Sequence, residues 1–144
     1  MTIAPILLKP SASLALQAAI FTTLSASLDL TTLTNGIPRV YDAVPPMTPY
    51  PYVTFGQTIE RDWSTSTEDG HEHLITLQVW SRAPGRSEVH KAAAIIRGLL
   101  HLAPLTVTGF HLVDIRHQFT EARREPDGET YRAIIRFRAV TEPV

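Results

Sequence analysis

Two runs of alternating apolar and polar residues dominate the chain. Residues 52–59 read Tyr52-Val53-Thr54-Phe55-Gly56-Gln57-Thr58-Ile59, and residues 73–80 read His73-Leu74-Ile75-Thr76-Leu77-Gln78-Val79-Trp80. A period of two marks a half-buried strand. The pattern predicts Val53, Phe55 and Ile59 on one face of the first arm, and Ile75, Leu77 and Val79 on one face of the second. Thr54, Thr58, Thr76 and Gln78 take the opposite faces. The arms read as one hairpin, joined by a long polar loop over 60–72 that contains Asp62, Trp63, Thr65, Glu68 and Asp69. Connections of this length are commonly functional or mobile.

Helical spacing brackets this hairpin. Leu14, Ala18, Phe21, Leu24 and Leu28 recur at three- and four-residue steps, predicting a helix capped by Ser11 or Ser13 and running to about Leu28. Pro5 and Pro10 interrupt what precedes it, so residues 1–10 are expected to be a loose arm. Asn35-Gly36 signals a turn, and 37–41 a short strand. Pro45, Pro46, Pro49 and Pro51 then hold the chain extended as it enters the hairpin. After Trp80, Ala83-Pro84-Gly85-Arg86 turns the chain, and Ser87 is the expected cap of a second helix. Its buried stripe is Val89, Ala92, Ala93, Ile96, Leu99 and Leu100, and it ends near His101, ahead of Pro104.

A short strand at 105–108 and a closing hairpin complete the reading. Its first strand, 110–120, puts Val113, Ile115 and Phe119 on one face and Asp114, Arg116 and Gln118 on the other. Its second, 131–140, puts Tyr131, Ala133, Ile135, Phe137 and Ala139 on one face and Arg132, Arg136 and Arg138 on the other. Pro126-Asp127-Gly128 turns between them. The fold class is α+β: a mainly antiparallel β-sheet with two amphipathic helices packed on one face, in a single domain. The sheet's other face is expected to be polar and arginine-rich.

Composition narrows the function classes. Hydrophobic residues at 44% are enough for a core, and a formal net charge of -1 gives no bulk attraction to nucleic acid or an anionic membrane. There is no cysteine, which removes disulfides, thiolate nucleophiles and thiolate zinc sites. No apolar run approaches the ~18 residues of a membrane span. No basic residue precedes the first apolar positions, so no signal peptide is expected.

No phosphate-binding glycine loop, nucleophile elbow or zinc-protease helix occurs, so no catalytic residue, cofactor or metal is assigned. His71 and His73, two apart on a strand, are the best metal pair, but they supply only two ligands where a site needs three or four. Asp62, Glu68 and Asp69 lack the spacing of a calcium loop and read as a solvated loop. Trp63 is either a contact residue or folded back on the sheet edge. The row Arg116, Arg132, Arg136 and Arg138 can hold phosphates, but with acidic neighbours it reads better as an ion-paired subunit interface.

A family resemblance follows from the order of several segments. These are Ala15-Leu16-Gln17-Ala18-Ala19-Ile20, Val40-Tyr41-Asp42-Ala43-Val44-Pro45-Pro46, Pro51-Tyr52-Val53-Thr54-Phe55-Gly56, Asp62-Trp63-Ser64-Thr65, Glu68-Asp69-Gly70, Leu77-Gln78-Val79-Trp80-Ser81, Gly85-Arg86-Ser87-Glu88 and Asp127-Gly128. Over roughly 12–141 the chain resembles the tail completion, or tail terminator, proteins of long-tailed phages and gene transfer agents. The resemblance implies the same fold and a structural, non-enzymatic role. It implies a ring, typically of six copies, at the head-proximal end of the tail tube. Such a ring stops tube growth and joins the tail to the head. The implied partners are further copies of the chain, the major tail tube protein and a head-side stopper or connector, with no specific nucleic acid and no membrane. The implied location is the virion neck, after synthesis in the bacterial host cytoplasm. The alternatives are a stopper, fibre adaptor or minor tail component, a small metal-dependent enzyme using His71 and His73, and a nucleic-acid or ligand module using the arginine row. The expected contact residues are Asp62, Trp63, Thr65, Glu68, Asp69, Arg116, Arg132, Arg136 and Arg138.

Overall fold

The computed structural model describes residues 10–144, so the expected arm at 1–10 lies, except for Pro10, outside the described residues. Ser11 starts the first helix, α1 (Ala12–Ser25), by accepting the Leu14 amide at 3.1 Å. Such a cap is worth about 1 kcal/mol. The helix stops at Ala26, earlier than its apolar spacing suggests. The reason is Ser27, whose hydroxyl accepts the Leu30 amide and opens a separate short helix, α2 (Leu28–Leu33).

β1 (Val40–Tyr41) is the short strand expected at 37–41, and it runs parallel to β2 (Tyr52–Asp62). β2 and β3 (His71–Ser81) form the expected antiparallel hairpin. Both strands run further than their alternation suggests, so the connection shortens to residues 63–70. The second long helix, α3 (Ser87–Leu100), starts after the turn at Gly85, whose φ of 84° suits a residue without Cβ. Arg86, not Ser87, occupies the cap position, and no side chain caps it. Residues 105–108 form no strand; Val107 packs there as an irregular buried segment.

β4 (Phe110–Arg124) and β5 (Tyr131–Pro143) close the sheet, whose order is β1-β2-β3-β5-β4. β3 and β5 therefore pair across the α3 and β4 insertion, placing β5 in the sheet interior. The core lies between this sheet and α1 and α3, around Leu16, Ile20, Leu24, Leu77, Ile96, Ile115, Ile135 and Phe137, all of them fully buried.

Three face assignments change. On α1 the buried stripe is Ala12, Leu16, Ile20 and Leu24, at steps of four, while Leu14, Phe21 and Leu28 point to solvent. The helix is uncharged and its apolar residues are spread round the axis, so spacing alone selected the wrong stripe. In β2 a bulge between Phe55 and Thr58 inserts an extra residue. It turns Thr58 to the helix side opposite Ile75 and sends Ile59 to the other face, opposite Leu74. In β4, irregularities after Leu112 and after His117 do the same. Ile115 stays in the core, His117 joins it against the Phe137 ring at 5.7 Å, and Phe119 moves to the far face opposite Arg136.

Candidate interaction face

The sheet face without helices carries the expected arginines, but it is neither purely polar nor open. Every second residue of β5 points there, giving Arg132, Ile134, Arg136, Arg138 and Val140. β3 contributes Glu72, Leu74, Thr76, Gln78 and Trp80. Each arginine lies over an aromatic ring, where its weakly hydrated guanidinium plane stacks well. Arg132 lies 4.8 Å from the Trp80 ring centre, Arg136 5.9 Å from Phe119 and Arg138 5.1 Å from Trp63. Leu74, Ile134 and Val140 lie between these pairs on the same face; Val140 is buried and the other two half-buried.

Polar bonds hold the stack in register. Arg138 Nε donates to Glu72 Oε2 at 2.7 Å, and Arg61 lies 3.8 Å from the other oxygen of that carboxylate. Arg136 donates to Thr76 Oγ1 at 3.2 Å, while its Nε is buried without a partner. Arg132 Nε sits 2.6 Å from Glu125 Oε1 as an ion pair, its N–H out of line for a hydrogen bond. Trp80 Nε1 donates to Thr54 Oγ1 at 3.0 Å. Beyond Trp80, Arg82 lies 4.7 Å from the ring centre of Tyr50, which packs 5.0 Å from Tyr52. Burial and the neighbouring Tyr50 push the Tyr52 hydroxyl up to about 12.

The loop residues form a folded turn. Trp63 N donates to Gly70 O at 2.9 Å, Thr65 N to Glu68 O at 2.8 Å, and Gly70 N to Ser64 Oγ at 3.1 Å. A Cβ on Gly70 would sit 3.1 Å from the Trp63 carbonyl, so glycine permits this closure. Asp62 accepts the Ser64 amide at 3.0 Å, and its hydrogen bonds to Ser64 hold its carboxyl below the ordinary range. Trp63 folds back over Arg138 and still remains 54% exposed.

The expected contact residues divide into groups. Trp63 and Arg138 meet, with Arg116 opposite Arg138 in the β4–β5 register and bonded to Asp114 at 2.8 Å. Arg136 lies between, and Arg132 stands toward the other end of the strand beside Trp80. Thr65 and Glu68 close the turn, and Asp69 lines a separate recess with Pro10, His71, Phe110 and Val144. Glu72, Trp80, Phe119 and Arg82 were not among the expected residues. The only available signal was period-two parity, and it needs the β3–β5 pairing to become useful.

The two histidines are not arranged as ligands. His73 is fully buried, its Nε2 2.8 Å from Thr141 Oγ1 and its Nδ1 3.5 Å from Ser13 Oγ. His71 stands apart, the two ring centres 6.3 Å from each other. Burial lowers the His73 pKa, so the ring is held neutral. Among the described residues, no group of three or more His, Cys, Asp or Glu could hold a metal ion. Among the same residues, no helix is long and apolar enough to cross a membrane.

The two-layer α+β fold thus carries one stacked, ion-paired sheet face with the Trp63 turn folded onto it. The chain belongs to the tail completion protein gp17 family, whose model matches residues 18–142. Among solved structures it is similar to a chain of the "virion of native gene transfer agent (GTA) particle", with 33% identity and a TM-score of 0.83. The match covers 93% of this chain and 99% of that one. No curated protein matches.

Proposed function

We propose that this protein is a structural component of the tail or neck of a phage or gene transfer agent particle. More specifically, it is the tail terminator, a hexameric ring at the head-proximal end of the tail tube. The ring ends tube growth and offers its other side to the head connector. The observation that carries this reading is the near end-to-end match, at 33% identity, to a chain of a gene transfer agent virion. The family membership over residues 18–142 supports it independently. Its contacts are with copies of itself, the tube protein and a head-side stopper or connector. The arginine–aromatic face and the Trp63 turn suit such contacts, because Trp, Tyr and Arg dominate binding energy at protein interfaces.

Electron microscopy of particles from a strain lacking the gene tests the proposal. Filled heads beside separate tails, the tails of abnormal length, are the expected result. Joined particles of normal length would refute the terminator role.

A further inference from the structure

Each subunit has two different unfinished flanks. On one, β4 is a 15-residue edge strand, with no strand outside it among the described residues. On the other, β1 covers β2 only at Val53 and Thr54, so among the described residues 55–62 lack a strand on that side. Unpaired edges of this length invite pairing by another chain. The bulges in β2 and β4 break both edges into short regular windows, which guards a free subunit against indiscriminate pairing.

The helix above the β2 edge is unfinished as well. From Pro10 to Leu28 no residue is charged. Ser13 Oγ donates to Glu60 Oε1 of β2 at 2.8 Å, fixing which side of α1 overlooks that edge. Leu14 and Phe21 lie toward this side and are 67% and 45% exposed. Large apolar side chains exposed together beside an open strand edge mark a contact surface. The β4 flank offers exposed apolar residues of its own, Val113 and Phe119.

We infer that a second copy of this chain covers the β2 flank, its β4 edge continuing the sheet beyond β2. The inference rests on the ring reading above and names the ring's seam. Successive antiparallel pairs from β2 through β3 and β5 make β4 run opposite to β2. A rotated copy that continues the sheet therefore joins in the antiparallel sense. One cross-sheet row contains Arg61, Glu72, Val140 and Asp114. An unstaggered continuation sets Asp114 of one copy opposite Arg61 of the next, with opposite charges across the seam. Because the two flanks differ, the contact is head-to-tail and closes by rotation.

The chain has no cysteine, so introduced thiols report without background. Particles carrying R61C/D114C, oxidised and run without reducing agent, are expected to give a ladder of dimers, trimers and higher multiples. Either single variant is expected to stay monomeric. Joined particles without a ladder would overturn the seam and leave the tail-terminator reading standing. Dimers from D114C alone would overturn it in favour of a twofold β4–β4 contact. If the double variant does not assemble, the charge swap decides. R61D and D114R each lose at least tenfold in joined particles, and R61D/D114R recovers most of that loss. Failure of the double swap to recover would also overturn the seam.

Discussion

Arg138 holds Trp63 and Glu72 at once: its guanidinium lies 5.1 Å from the indole centre, and its Nε donates to the carboxylate at 2.7 Å. One side chain thus ties the β2–β3 turn to an interior strand. The Glu72 side chain is only 10% exposed, so it depends on this cation. Arg138→Met is expected to lower stability by about 1–3 kcal/mol, because it leaves a mostly buried carboxylate short of its partner. Adding Glu72→Gln should recover part of that loss. Urea denaturation of the two single variants and the double variant measures the coupling, and strict additivity would show that the pair is independent.

The contact role proposed for the Trp63 turn has its own test. Replacing residues 63–70 by a tight Asn-Gly turn removes no core residue, so the protein should still fold. Particles carrying that variant are expected to show unjoined heads and tails. Circular dichroism checks the fold and electron microscopy the joining; normal particles would remove the turn from the contact surface.

The bulges in β4 predict opposite outcomes for two phenylalanines. Phe137 is fully buried, so Phe137→Ala should cost about 3–5 kcal/mol. Phe119 is 43% exposed and covers Arg136, so Phe119→Ala should cost only about 0.5–1 kcal/mol. Equal losses in chemical denaturation would contradict the register.

The same contrast applies on α1. Leu16→Ala should cost about 2–5 kcal/mol. Leu14→Ser should leave subunit stability within about 0.5 kcal/mol and reduce assembly. Thermal melts paired with particle counts separate the two effects.

Stability should fall on mild acidification. Burial lowers the pKa of His73, and burial with the Arg97 and His101 charges lowers that of His117, both from an ordinary 6.5. The unfolded chain then binds protons that the folded chain refuses. This contribution is complete above pH 6.5 and is lost as pH falls below it. Glu60, which faces His73, reduces the effect, and His71 reinforces it. A second loss belongs to Asp127, whose hydrogen bonds from Thr130 and Glu129 hold its carboxyl at about 2 against 3.8. Its contribution is full above pH 3.8 and disappears toward pH 2. Urea midpoints between pH 7.5 and 5 test the histidines, and His73→Gln should flatten that slope.

The local pattern determined much of this protein by itself. Period-two alternation placed β2, β3 and β5, three- and four-residue spacing placed α1 and α3, and Asp127-Gly128 placed the final turn. These signals lie within a few residues and reflect one buried face. The order of segments also carried the family resemblance that the comparisons support. Tertiary structure decided which stripe of α1 is buried, because an uncharged helix with apolar residues spread round its axis has no preferred face until a sheet lies beneath it. It decided where β2 and β4 bulge, since an inserted residue reverses every later side chain and leaves no mark in the alternation. It also decided the β3–β5 pairing. That pairing joins strands separated by a helix and an edge strand, and it alone sets Arg132 over Trp80 and Arg138 beside Glu72.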